Sequence, residues 1–224
     1  MTNQPEAPIW RDGEVPVSAR FDDPYFSLDD GLAETRHTFL AGNGLPKRFR
    51  DGFHVAELGF GTGLNLLATL ALWRDSGANG VLRFTTFEAF PMAAADMIRA
   101  QAAFADLAGI AAELAPFWRA DARIVRLPDL HFERIDGDAR TTLPDWTGMA
   151  DAWFLDGFSP AKNPELWGAA LMSQVARHMA PGGTAATYTA AGHVRRALQA
   201  AKLEVTRLPG YGRKRHMTRA ERPL

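Results

Sequence analysis

Residues 53–65 read Phe-His-Val-Ala-Glu-Leu-Gly-Phe-Gly-Thr-Gly-Leu-Asn: a short apolar run that breaks into a glycine loop and then opens a helix. The run suits a strand buried on both faces, and the helical pattern continues to about Trp73. Beyond it, Leu82–Glu88 is β-rich and alanine-rich helices fill residues 92–120. His131–Ile135 reads as a third strand, Ala152–Leu155 as a fourth and Thr184–Thr189 as a fifth. The helix between the last two is expected to begin near Pro164, since proline is favoured at a first helical position. Strands alternating with helices predict a parallel, doubly wound α/β sheet. The chain then closes differently. Leu203–Leu208, the turn Pro209-Gly210-Tyr211-Gly212 and Lys214–Ala220 read as a hairpin, which predicts an antiparallel C-terminal edge.

Towards the other end, Asp29 and Asp30 can cap a helix over Leu32–Ala41, and Gly42-Asn43-Gly44 stops it. Residues 1–20 are polar and dotted with proline, so a loose arm is expected there. The division this suggests is an N-terminal extension, residues 1–50, packing on one globular catalytic unit, residues 51–224.

A chain of 224 residues with 46% hydrophobic and 23% charged residues has an ordinary globular balance and can bury a sizeable core. With no cysteine, disulfides, thiolate nucleophiles and cysteine-ligated zinc are excluded. The six histidines (37, 54, 131, 178, 193 and 216) lack metal-ligand spacing, so no metal is expected. The most apolar stretch, Leu64–Trp73, is too short to span a membrane and is interrupted by Asn65. The first nine residues lack a basic-then-apolar leader, which places the chain in the cytoplasm as an expectation. Charge is unevenly spread. From Arg195 onward nine Lys/Arg stand against Glu204 and Glu221, so that end carries +7 within a net charge of −1. A polyanion-binding edge would look like this, and so would a solvated basic helix and hairpin.

In a doubly wound sheet, ligands bind outside the carboxyl ends of the strands, where strand order reverses. After the first strand comes Glu57-x-Gly59-x-Gly61-x-Gly63. A dinucleotide fingerprint needs a glycine where Leu64 stands, and an acid just before the loop suits a cationic ligand better than a pyrophosphate. S-adenosylmethionine, which carries an ammonium and a sulfonium and has no phosphate, fits that description. Glu88, 31 residues after Glu57, closes the second strand where a carboxylate can accept ribose hydroxyls. Asp138 follows the third strand and can accept from an adenine amino group, and Asp156 closes the fourth. Any one of these acids can be a cap or a surface residue, but acids at four successive strand ends favour a nucleoside cofactor.

Residues 151–167 (Asp-Ala-Trp-Phe-Leu-Asp-Gly-Phe-Ser-Pro-Ala-Lys-Asn-Pro-Glu-Leu-Trp) deliver a carboxylate, an aromatic and a proline to the cleft. A polar acceptor beside an aromatic wall is how amino-directed methyltransferases hold a nitrogen nucleophile. Phe158 and Trp167 can equally be core residues.

With these motifs in hand, the sequence resembles the methyltransferase domain of the bifunctional tRNA 5-methylaminomethyl-2-thiouridine biosynthesis proteins, from about Arg20 to Ala220. The motifs that carry the resemblance are Phe21-Asp-Asp-Pro-Tyr-Phe-Ser27, Gly31-Leu-Ala-Glu-Thr-Arg36, Glu57–Asn65, Phe87-Glu-Ala-Phe-Pro91, Asp151–Trp167, Pro181-Gly-Gly183, Tyr188-Thr-Ala-Ala-Gly192 with Val194-Arg-Arg196, and Gly210-Tyr-Gly-Arg-Lys-Arg215. The glycine box is common to many methyltransferases; Asp156–Trp167 and Gly210–Arg215 are far more specific. The resemblance implies a class I S-adenosylmethionine-dependent methyltransferase, Rossmann-like, acting on the amine of 5-aminomethyl-2-thiouridine at the tRNA wobble position. It puts Glu57, Gly59, Phe60, Gly61, Gly63, Glu88, Asp138 and Asp156 around the cofactor, Asp156 also facing the acceptor as the catalytic residue.

Many members continue into a flavin-dependent oxidase domain. None follows here, so no FAD is expected in this chain, which is either a monofunctional member or an excised domain. A separate oxidase or modification enzyme would then supply the aminomethyl substrate. For the tRNA, Phe158, Lys162, Arg195, Arg196, Arg213, Lys214 and Arg215 are the candidate contacts, the basic residues meeting phosphates around an extruded base. Tyr25 and Phe26 either wall the base pocket or pack. The alternatives are an aminopropyltransferase of the spermidine-synthase type, which would need a denser set of acids, and a non-catalytic tRNA-binding module.

An alkyl amine titrating near that of lysine is mostly ammonium at pH 7, and deprotonating it costs about 4 kcal/mol. A neighbouring sulfonium offsets this, because two positive charges about 4 Å apart repel by roughly 4 kcal/mol at an effective dielectric of about 20. A charged Asp156 pulls the other way. Its expected role is therefore binding, orientation and proton acceptance rather than strong general base catalysis.

Overall fold

The computed structural model describes residues 7–11, 15–27 and 30–224. Three short strands, β1 (Ile9–Arg11), β2 (Val15–Ser18) and β3 (Asp23–Pro24), form a small antiparallel sheet. The described part of residues 1–20 is thus an ordered hairpin rather than the expected loose arm. Val17 and Ser18 are buried, and Tyr25 N–H donates to the Pro16 carbonyl. Helix α1 (Gly31–Thr35) is capped by Asp30, whose Oδ1 accepts from Ala33 N–H at 2.9 Å; Asp29 lies outside the described residues. It runs on through a π-helical turn (Arg36–Leu40) and a 3-10 turn (Ala41–Asn43) to Gly44, close to where the glycine signal predicts a stop.

The main sheet follows the expected alternation. Strand β4 (His54–Leu58) leads to α2 (Leu64–Asp75), β5 (Leu82–Glu88), α3 (Ala94–Gln101) and α4 (Ala108–Arg119). Then come β6 (Ile124–Arg126), β7 (Leu130–Asp136), α5 (Ala139–Asp145) and β8 (Ala150–Leu155). A 3-10 turn at Pro164–Trp167 precedes α6 (Ala169–Arg177), so proline opens the turn and the α-helix starts later. Strand β9 (Met179–Thr187), α7 (Gly192–Ala200), β10 (Glu204–Pro209) and β11 (His216–Glu221) complete it.

The strand order is β10-β11-β9-β8-β4-β5-β7-β6. Strands β9, β8, β4, β5 and β7 are parallel, and β6 adds an antiparallel edge that the sequence reading does not contain. The C-terminal hairpin is present but arranged differently from a simple edge. Antiparallel β11 is inserted between β9 and β10, so outermost β10 runs in the direction of the parallel strands. This is the class I methyltransferase order, and the chain has that fold.

Period-two alternation divides the core between the two faces. On β8, Ala152 and Phe154 join Leu66, Leu67 and Leu70 of α2 and Trp118 of α4, whereas Trp153 and Leu155 join Met172 and Val175 of α6 and Val194 and Leu198 of α7. Both faces are covered, which is why the central strands read as continuous apolar runs. Strand order reverses between β4 and β8, and their carboxyl ends, Leu58 and Leu155, deliver Gly59 and Asp156 side by side.

Candidate active site

A cavity of about 990 Å³ opens at this switch point. Its size is at the upper end for ligand sites, room for a nucleoside-sized molecule together with a second group. Of the residues expected around a donor, Gly59, Phe60, Gly61, Glu88, Asp138 and Asp156 line it, while Glu57 and Gly63 lie behind its wall.

Glu57 is the clearest difference from the sequence reading. It shares the β4 face of Val55, so its side chain points under α2 and is fully buried. Its oxygens accept from Asn65 Nδ2 at 2.9 Å and Thr86 Oγ1 at 2.8 Å. Burial, with help from the Asp156 charge, pushes its carboxyl well above the usual range despite those two hydrogen bonds.

Asn65 links this buried acid to the cavity-lining one, Asp156. The same Nδ2 donates to Asp156 Oδ2 at 2.7 Å, and Thr35 Oγ1 donates to Asn65 Oδ1 at 2.9 Å. With both amide N–H groups on carboxylates and its carbonyl engaged, the amide has one orientation. Burial raises Asp156 to about 7; the Asn65 hydrogen bond opposes this, the Glu34 charge adds to it and Lys214 lowers it. An acid poised there can exchange a proton near neutrality. Asn65 is absent from the sequence candidates, yet it carried a signal: one amide at the start of an otherwise apolar helix.

Glu88 organises the glycine loop. Its Oε2 accepts from Phe60 N–H at 2.8 Å and Gly61 N–H at 3.1 Å, and its Oε1 accepts from Phe90 N–H at 2.7 Å. Those loop amides, which a dinucleotide site would aim at phosphate, are thus already satisfied by a carboxylate. The arrangement fits a phosphate-free, positively charged nucleoside. Glu88, Asp138 and the loop could hold it, with Asp156 at its far end. Asp138 caps α5 through Arg140 N–H at 2.8 Å and pairs with the Arg140 guanidinium, which holds its carboxyl below the usual range.

The candidate substrate residues separate into two groups. Phe158, Lys162, Arg213 and Lys214 line the cavity; Arg195, Arg196 and Arg215 do not. Phe158 stacks on Phe21 at 4.8 Å and meets Tyr25 edge-on at 5.1 Å, so it is a cavity wall built with the N-terminal segment. Tyr25 and Phe26 both line the cavity, and Phe26 also packs on Phe104. Lys162 is exposed and ion-paired: its ammonium is held by Asp22 and lies 3.9 Å from Asp23, and Ser159 N–H donates to Asp23 at 2.8 Å. Trp167 is a buried packing residue whose Nε1–H donates to the Phe158 carbonyl at 2.9 Å. Among the described residues, no group of three or more His, Asp or Glu could hold a metal ion, and no helix is long and apolar enough to cross a membrane.

Comparison with known proteins agrees with this geometry. Residues 120–223 match the family described as S-adenosyl-L-methionine-dependent methyltransferase. The chain is 46% identical over 230 residues to the tRNA 5-methylaminomethyl-2-thiouridine biosynthesis bifunctional protein MnmC of Caulobacter vibrioides, covering 98% of this chain and 39% of that protein. It is 42% identical over 234 residues to the protein of the same name from Marinobacter nauticus, covering 98% and 37%. The chain therefore spans less than two-fifths of the length of these relatives. The structure of MNMC2 from Aquifex aeolicus superposes with a TM-score of 0.77 at 24% identity, covering 99% of this chain and 72% of that one, which shows the shared fold. The resemblance read from the sequence is borne out, and S-adenosylmethionine is the donor that the family match assigns. These relatives favour neither an aminopropyltransferase nor a non-catalytic module.

Proposed function

We propose that this chain moves a methyl group from S-adenosylmethionine to the primary amine of 5-aminomethyl-2-thiouridine at the wobble position of tRNA, in the cytoplasm. The observation that carries this reading is Asp156: a cavity-lining carboxylate at the strand switch point, fixed by Asn65 and raised to about 7. The donor, when bound, supplies a methyl group already activated on a sulfonium.

The protein's own part is to bind, orient and move one proton. Asp156 accepts a proton from the acceptor's ammonium, directly or through water, freeing the nitrogen lone pair. Phe21, Tyr25 and Phe158 supply ring faces on which an extruded base can stack. A separate oxidase or modification enzyme supplies the aminomethyl group. Incubating tRNA with labelled donor and digesting it to nucleosides for mass spectrometry tests the reading. Label is expected in 5-methylaminomethyl-2-thiouridine, and no labelled nucleoside would refute it.

Two further outcomes follow. Glu88→Gln weakens both the loop hydrogen bonds and the acceptor for ribose hydroxyls, so donor affinity is expected to fall by about ten- to a hundredfold. Calorimetry with S-adenosylmethionine reads this, and an unchanged Kd removes Glu88 from the donor site. Neutralising Arg213 and Arg215 is expected to weaken tRNA binding and lower the slope of log affinity against log salt by about one per lost phosphate contact, with donor affinity unchanged. An identical salt slope would show that neither reaches a phosphate.

A further inference from the structure

Helix α1, from the Gly31–Arg36 motif, reaches the site through Thr35, which holds Asn65. The residue before it, Glu34, is almost buried and lines the same cavity as Asp156. Its carboxylate is held by the ammonium of Lys214, which reaches in from the turn between β10 and β11. That ammonium also lies 4.2 Å from the centroid of the Tyr188 ring. Tyr188 is fixed in turn, its hydroxyl donating at 2.6 Å to the carbonyl of Gly157, the neighbour of Asp156. On the other side, Thr35 holds Asn65, and Asn65 holds Asp156. Glu34, Tyr188 and Asp156 thus belong to one rigid frame.

A carboxylate paired with an aromatic face is the environment in which a primary alkylammonium is bound without a metal or a second anion. In this structure that environment contains a primary alkylammonium, and it is the protein's own. The Lys214 side chain is 43% exposed and has a long flexible stem, so it can leave for solvent. Glu34 cannot follow, being held in α1 against the core.

We propose that Glu34 and Tyr188 form the receiving site for the ammonium of the acceptor, and that Lys214 occupies this place until the acceptor displaces it. The inference rests on the amine-methylation reading and deepens it by dividing labour between two carboxylates: Glu34 binds the cation and Asp156 takes its proton. It also defines the acceptor class. A primary ammonium is selected; a base without a cation cannot displace Lys214, and an amine bearing its own carboxylate is repelled by both acids.

The test uses anticodon stem-loops carrying either 5-aminomethyluridine or uridine, titrated by fluorescence anisotropy into the full chain with S-adenosylhomocysteine present. Wild type is expected to prefer the amine by about tenfold or more, in line with a charge-assisted contact. Glu34→Gln should bring this preference close to one while leaving affinity for the uridine stem-loop unchanged, and Glu34→Asp should recover part of it. Lys214→Met, which removes the internal competitor, should tighten binding of the amine stem-loop alone. A Glu34→Gln variant that keeps the wild-type preference overturns the inference, as does a Lys214→Met variant that weakens the amine stem-loop more than the uridine one. Methyl transfer by wild type, measured in parallel, separates the two levels. Transfer without dependence of the preference on Glu34 sinks this inference alone, and absence of both transfer and amine preference sinks the functional reading with it.

Discussion

Asp156→Asn is expected to lower single-turnover methyl transfer by about 10²–10⁴-fold, the usual contribution of a positioned proton acceptor, with donor affinity kept within a few fold. The substitution is nearly isosteric and leaves Asn65 a carbonyl to donate to, so packing is preserved while proton acceptance is lost. In wild type the rate should rise with pH up to about 7, where the Asp156 carboxyl ionises, and the variant should lack that limb. Rapid-quench measurements with labelled donor decide it, and a variant rate near wild type would remove Asp156 from the chemistry.

The same residue makes a stability prediction of opposite sign to the functional one. Burial raises the folded carboxyl from its ordinary 3.8 to about 7, so between those values the folded protein retains a proton that the unfolded chain has lost. Stability supplied by the protonated form is present in full below pH 3.8 and falls as pH rises to about 7. Asp156→Asn removes that penalty. The variant should match wild type near pH 4 and exceed it at pH 8 by up to about 4 kcal/mol, read by denaturant unfolding. Equal stability at both pH values would mean that the carboxylate is not desolvated as described. A residue that costs stability and supplies rate is what a site shaped for function rather than for folding produces.

How much of this was legible in the sequence follows from the range of each interaction. The β4–loop–α2 unit, the acid closing β5 and the Asp151–Trp167 segment announce themselves because periodicity, glycine and strand ends are local features. Strand β6 does not, having three residues with only Val125 buried. Nor does the insertion of β11 between β9 and β10, since a hairpin looks the same in sequence whichever arm lies outside. Glu57 belongs to the glycine motif, but parity along β4 turns it inward, a consequence of register rather than of residue type. Lys162 reads as a phosphate contact because it is basic and on the right loop. Its partner Asp22 lies 140 residues away, and nothing local could have paired them. The same distance problem hid Glu34, whose partner Lys214 is 180 positions later. Charges on the site's rim are thus legible as charges, whereas their pairings are a property of the fold.

Gly59→Ala is expected to be among the most damaging single methyls that can be added to the described residues. Gly59 sits at φ +86°, and a Cβ there would lie 2.1 Å from the Asp156 carbonyl oxygen and 3.5 Å from Gly157 Cα. Neither side can yield. Gly59 N–H donates to the Phe87 carbonyl at 2.9 Å and Asp156 N–H to the Leu58 carbonyl at 3.1 Å, so the clash falls between two central, hydrogen-bonded strand ends. Relief requires β4 and β8 to part at their carboxyl ends, which would break the floor that holds Asp156. Backbone strain of about 1–2 kcal/mol and overpacking of about 1–3 kcal/mol add to a loss of several kcal/mol, a large share of a total stability of about 5–15 kcal/mol. The control is Gly52→Ala, at φ +72° with nothing within 4 Å of its Cβ: it carries the strain without the clash and should cost only about 1 kcal/mol. Denaturant midpoints of the two variants, with calorimetry for the donor, separate the effects. If Gly59→Ala unfolds no more easily than Gly52→Ala and still binds S-adenosylmethionine, the close apposition of the β4 and β8 ends is not what shapes the site.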